Sequence, residues 1–224
     1  MLENQKDCWG ILSEQIHQMR PTKMNPQPDF SDTFVEKLED DCLRHLESFF
    51  RDTYMTAEIF QKYKAKEILK EDGFMDVSDW EGGLAAHVRY HIYSGVTENY
   101  KASFKAYSAW TLPRGCFFKV LSIHVRDHFG LIVLLQIPVY AVAYFALHEH
   151  PIEKQLTEDA IARFETSLKQ EPLPALVDDY WLKRTRFPIG IQWDGDFFFE
   201  FDYSEFRKRA PNQKRKNIFR RFFG

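Results

Sequence analysis

The sequence predicts an α+β fold, with N-terminal helices packed on a mainly antiparallel sheet, one later helix and a C-terminal β-hairpin. Three observations carry this expectation. Apolar residues recur at helical spacing in the first third, the pattern changes to alternation from about residue 84, and helices are grouped before strands rather than interleaved with them. With 224 residues, 44% of them hydrophobic and 16% aromatic, the chain is long enough to bury one substantial core. The predicted organisation is one domain over residues 1–203 and an appended tail over 204–224.

Trp9, Leu12, Ile16 and Met19 fall on one helical face, and Pro21, Pro26 and Pro28 end that helix in a stiff linker, together spanning residues 1–30. Helices are expected over 31–72. Ser31 is a plausible N-cap for a helix whose stripe is Phe34, Leu38, Cys42, Leu46 and Phe49. Thr56 caps a third helix using Ile59, Phe60, Tyr63 and Leu69, which stops at Asp72-Gly73.

The sheet is expected over 84–147. Ala86 to Tyr93 and Tyr100 to Ser108 alternate, and read as two half-buried strands paired through the loop 94–99. Cys116 to Val125 and Leu131 to Ile137 are apolar runs flanking a polar turn, hence a hairpin. The uncharged stretch Phe129 to Leu147 has the crude length of a membrane span. Gln136 and Pro138 at its centre favour instead a buried strand followed by a core helix. Thr157, Glu158 and Asp159 open a helix over 157–170, and Asp194-Gly195 suits the two-residue turn of a hairpin over 186–203.

Charge divides the chain. Residues 204–224 carry eight basic side chains (Arg207, Lys208, Arg209, Lys214, Arg215, Lys216, Arg220 and Arg221) against Glu205, so the tail is +7 and the remainder −10 within a total of −3. The tail suits phosphate neutralisation, with Phe219, Phe222 and Phe223 available to stack on bases. It equally suits docking as an aromatic strap on acidic helices bearing Glu36, Glu39, Asp40, Asp41 and Glu47. Nothing in Met1–Asp7 has the order of a secretion signal, and Cys8, Cys42 and Cys116 are odd in number and far apart. They read as reduced thiols of a cytoplasmic protein.

The chemistry-bearing candidates lie on the sheet. If the two alternating strands pair, His87, Arg89, His91, Lys101 and Tyr107 share a wet face able to hold a phosphate and move protons. The phrase His-Val-Arg-x-His occurs twice, as His87/His91 and His124/His128. On strands such a pair stands roughly 13 Å apart, too far to chelate one metal, so neither a metal nor a cofactor is expected.

No nucleophile elbow or cofactor loop occurs. The first functional expectation is therefore a non-catalytic interaction module whose acidic body binds a basic protein, as an adaptor or an immunity-type inhibitor would. The alternatives are a metal-independent RNA or phosphate-ester enzyme using the His/Arg/Lys/Tyr face, and nucleic-acid binding through the tail.

Overall fold

The computed structural model describes residues 30–95, 100–101, 107–192, 194–199 and 201. Residues 1–35 and 36–224 separate into two units, and the second carries the sheet. The elements, in order, are helix α1 (Asp32–Leu38) running into a π-helical turn (Glu39–Leu43), β1 (Glu47–Thr53), α2 (Ala57–Lys62), β2 (Ile68–Glu71), β3 (Met75–Ser78), β4 (Val88–Ser94), β5 (Tyr100–Lys101), β6 (Ala109–Leu112), β7 (Cys116–Arg126), β8 (Phe129–Ile137), a 3₁₀ turn (Val139–Ala141), α3 (Val142–Leu147), α4 (Ile152–Ser167) and α5 (Asp179–Arg184). The class is α+β.

The sheet order is β2-β7-β8-β4-β1-β3-β6-β5. Its strands are antiparallel except for β4 and β8, which run parallel with Val88 opposite Gly130. β7 and β8 form the predicted hairpin around Asp127 and His128, with Asp127 in the left-handed region (φ 55°) that a short polar side chain tolerates. After β8, the 3₁₀ turn and α3 follow Pro138 as expected. Among the described residues no helix is long and apolar enough to cross a membrane.

Several expectations are corrected. The stripe from Phe34 to Phe49 does not make one helix, because the segment from Glu47 enters β1 and pairs along its whole length with β4. Strand pairing that buries Phe49 and Phe50 outweighs a helical period. Thr56 does cap α2, its Oγ accepting from the Ile59 N–H at 3.3 Å. That helix ends at Lys62, however, Lys66 adopts a left-handed φ of 77°, and Leu69 belongs to β2. β4 does not pair with a following strand. It lies between β1 and β8, while Tyr100 and Lys101 pair with β6. At 186–203 the described residues include one antiparallel bridge, Ile191 to Phe197, around Asp194-Gly195, and part of the expected hairpin lies outside them. The helix at 9–19 and the tail at 204–224 lie outside the described residues.

Both faces of the central sheet are covered, so the alternation in β4 does not separate core from water. One face joins Phe49, Tyr90, Ile92, Ile132 and Leu134 to Tyr63, Leu69, Val77 and Ile189 in the main core. Each such side chain contributes about 1.5–3 kcal/mol by leaving water. The opposite face carries Asp52, Phe50, Arg89 and His91, all 5% exposed or less, and Tyr93. Helix α4 covers it: the Tyr93 hydroxyl donates to the Leu156 carbonyl at 3.1 Å and to Asp159 at 2.7 Å.

Arg89 and Asp52 form a fork-to-fork pair within this layer, Nε to Oδ1 at 2.7 Å and Nη2 to Oδ2 at 2.8 Å. Arg89 also donates to the Gly82 and Gly83 carbonyls, and Asp52 accepts from the Ala85 N–H, so the pair dictates the path into β4. Removing one partner of a buried pair strands the other charge. Asp52→Ala is expected to destabilise the protein by about 3–5 kcal/mol, read as the shift in a urea unfolding midpoint.

Candidate functional site

The path fixed by Arg89 and Asp52 delivers His87 to the sheet margin, where the Gly130 N–H donates to the His87 carbonyl at 2.8 Å. This bond sets the β7–β8 turn beside His87. Gly130 is needed there for space: a Cβ at that position would lie 2.6 Å from Cε2 of Phe60, so the ring of α2 rests on bare backbone. The result is a cleft of about 240 Å³. Met55, Thr56, Ala57 and Phe60 form one side, and Val125, Asp127, His128 and Phe129 another, with His87 and Val88 between them.

The His87 tautomer follows from its neighbour. Nε2 lies 2.7 Å from the Met55 carbonyl, which only accepts, so Nε2 carries a proton, and in the neutral ring the lone pair is on Nδ1. The Tyr54 ring, 59% exposed, stands 5.5 Å from the His87 ring, and the His128 ring stands 4.0 Å from Phe129. The cleft therefore combines two imidazoles and a carboxylate with mostly apolar walls, the composition of a small-molecule site.

Of His87, Arg89, His91 and Tyr107, all expected on one wet face, only His87 lines this cleft. Arg89 is committed to Asp52. His91 is 1% exposed, packs between Phe50 and Tyr93, and lies 3.2 Å from the Ser48 hydroxyl. Burial, reinforced by Arg163 and Arg89, pushes the His91 pKa down to about 3. Tyr107 lies apart from the cleft, stacked on Trp181 at 5.2 Å, with its hydroxyl donating to Asp178 at 3.2 Å. Lys101 is in β5, next to β6. A shared solvated face does not form, because the strand carrying His87, Arg89 and His91 is central and the segment carrying Lys101 pairs elsewhere.

The acidic candidates have local partners. Asp40 pairs with Arg44, Asp41 accepts from Lys37 and from the Tyr140 hydroxyl, and Glu39 stands 3.6 Å from His150. Glu36 and Glu47 are exposed. The basic candidates from Arg207 to Arg221 lie outside the described residues.

The thiols of Cys42 and Cys116 are buried and unbridged, and burial raises the Cys42 pKa to about 12, which makes it a poor nucleophile. Among the described residues no three of His, Cys, Asp or Glu group as metal ligands. A larger cavity of about 330 Å³ lies between Glu81 and α4. Its charged groups satisfy each other, since Arg163 clamps Glu81 through Nε and Nη2 at 3.0 and 2.7 Å.

His128 was legible only as the end of the second His-Val-Arg-x-His phrase. The first residue of one phrase and the last of the other line the same cleft, because parallel pairing of β4 and β8 sets Val88 beside Gly130.

No protein-family model matches the chain, and no curated protein matches it. Solved structures are matched at low similarity. Exoenzyme S from Pseudomonas aeruginosa, bound to carba-NAD and to human 14-3-3 protein beta, is 13% identical over 66% of this chain and 76% of its own, with a TM-score of 0.37. The ADP-ribosyltransferase Vis in complex with agmatine is 10% identical over 62% of this chain and 66% of its own, with a TM-score of 0.34. HopU1 of Pseudomonas syringae, also an ADP-ribosyltransferase, is 12% identical over 58% and 66%, with a TM-score of 0.33. The chain spans only 42% and 59% of two others, the effector XopAI from Xanthomonas axonopodis and the C3 exoenzyme of Clostridium limosum.

These matches correct the expectation of a non-catalytic adaptor or immunity-type inhibitor. Those described as ADP-ribosyltransferases are enzymes, and none of the matches reported above is described as an inhibitor or immunity protein. At such TM-scores the likeness assigns no activity or residue role to this chain.

Two outcomes follow from the geometry. His91 is neutral in the folded protein, whereas in the unfolded chain it takes up a proton below pH 6.5. Its contribution to stability is complete above that value and is lost as the pH falls towards 3. Compared with His91→Gln, the parent should show a steeper loss across this window, by at most about 1.4 kcal/mol per pH unit, in urea titrations at each pH. Gly130→Ala should drive Phe60 off the β8 backbone and lower stability by about 1–3 kcal/mol, measured by thermal unfolding.

Proposed function

We propose that the chain is an enzyme that moves protons at the cleft between His87 and His128, on a small substrate bearing a flat apolar group. The observation that carries this is the convergence of two histidines from separate parts of the chain on one cleft with mainly apolar walls. His87, with its Nε2 proton held by the Met55 carbonyl, offers Nδ1 as the base that takes a proton from the attacking group. His128, on the turn beside Asp127, donates a hydrogen bond to the leaving group, which departs with the electron pair of the bond that breaks. Met55, Phe60 and Phe129 take the flat group and keep water from it.

NAD with agmatine is the first substrate pair to offer, since exoenzyme S binds carba-NAD and Vis binds agmatine. That is a choice of probe, and the reading rests on the cleft. Nicotinamide release is expected, falling by about 100-fold or more in His87→Ala or His128→Ala with the melting temperature unchanged. Undiminished release in the double variant overturns the proposal. So does a proton NMR titration in which neither imidazole signal moves with NAD, adenosine or indole.

A further inference from the structure

Residues Arg186 to Gln192 cross the main-core face of the sheet without joining it as a strand; their last residues pair locally, the Phe198 N–H donating to the Gly190 carbonyl at 3.0 Å and the Gln192 N–H to the Asp196 carbonyl at 2.7 Å, and side chains hold the rest of the backbone. Arg51 Nη2 donates to the Phe187 carbonyl at 2.9 Å, Thr53 to the Arg186 carbonyl at 3.1 Å and the Tyr63 hydroxyl to the Ile189 carbonyl at 2.7 Å. In return the Ile189 N–H donates to the Tyr90 hydroxyl at 3.1 Å and the Gly190 N–H to Glu71 at 2.7 Å. Ile189 and Ile191 are the apolar anchors, while Phe187 is 59% exposed.

The site beneath is unusual in one respect. Arg51 is 5% exposed, and among the described residues it makes no ion pair, since its two hydrogen bonds go to the Asp76 and Phe187 carbonyls. Its Nε is the one buried side-chain polar atom among them with no hydrogen-bond partner. A buried unmatched donor on a cation is costly, and lifting the segment returns it to water. Apolar anchoring by Ile189 and Ile191 therefore opposes a polar incentive to open. A second connection runs to the cleft: Tyr63, held to Ile189, is the C-cap of α2, whose Ala57 and Phe60 line it.

We propose that Arg186–Gln192 is a latch that detaches from the folded sheet as a unit, and that its attachment through Tyr63 sets the position of α2 and so the width of the His87 cleft. The functional meaning of that width rests on the reading of the cleft as the working site; detachment itself does not. Hydrogen exchange on the full chain tests it. The amides of Ile189 and Gly190, which donate to Tyr90 and Glu71 of the sheet, exchange together and at least tenfold faster than those of β4 and β8. Arg51→Met, which removes the buried charge, slows them at least threefold. Gly190→Ala, at φ +78° where a side chain is strained, speeds them and shifts the His87 and His128 imidazole signals. Adding Tyr63→Phe abolishes those shifts while the fast exchange persists. Exchange of these two amides at the sheet rate in parent and variants overturns the latch, and unmoved imidazole signals in Gly190→Ala overturn its coupling. Neither readout uses turnover, so failure of the catalytic reading leaves both in force.

Discussion

The salt bridge between Asp52 and Arg89 is the constraint on which the rest of the structure depends. A guanidinium and a carboxylate in the middle of a two-sided sheet are tolerable only when every donor and acceptor is matched, and here the matching groups include backbone of the segment entering β4. Satisfying the charges thus fixes a loop that has no regular structure of its own. The same loop packs against the segment that follows α4: the Gly83 N–H donates to the Glu171 carbonyl, and a Cβ on Gly83 would fall 2.1 Å from the Gln170 carbonyl oxygen.

From that constraint the cleft follows. With the entry to β4 fixed, parallel pairing with β8 brings the β7–β8 turn to the same margin, and the bare backbone of Gly130 admits Phe60. Polar residues of β4 then serve two ends. Arg89 and His91 are interior groups, matched by hydrogen bonds, while His87, one residue before the strand, is half-buried at the margin. A single stretch of alternating residues supplies both the sheet's internal wiring and a titratable group at the surface. The latch closes the other face in a comparable way, its backbone groups matched by Arg51, Thr53, Tyr63, Tyr90 and Glu71, with Arg51 incompletely satisfied. The two faces differ in this respect, complete matching around Arg89 and an unmatched donor at Arg51.

The expected interaction module holds a lesson about charge. A −10 remainder suggested an acidic docking surface, yet several acids invoked for it are engaged with neighbours one helical turn away or across to Tyr140 and His150. Net charge counts residues, whereas a docking surface needs charges left uncompensated in one place. Likewise the missing nucleophile motif argued against catalysis only for chemistries that need one.

The sequence by itself determined the α+β class, the β7–β8 hairpin with its Asp127-His128 turn, the Thr56 cap and the helix that became α4. These depend on local periods and on side chains that act within a few residues. It did not determine the pairing of β4 or the shortness of the first helices. Nor did it settle which member of each His-Val-Arg-x-His phrase is interior. The alternation of β4 looked half-wet, because a strand whose polar residues are matched inside the protein has the same period as one facing solvent. Only the tertiary structure decided between them, since whether Arg89 is buried depends on Asp52, distant in sequence, and on α4 covering that face. His87 and His128 line one cleft for the same reason: parallel pairing joins segments some forty residues apart, and no local pattern encodes a register set by long-range contacts.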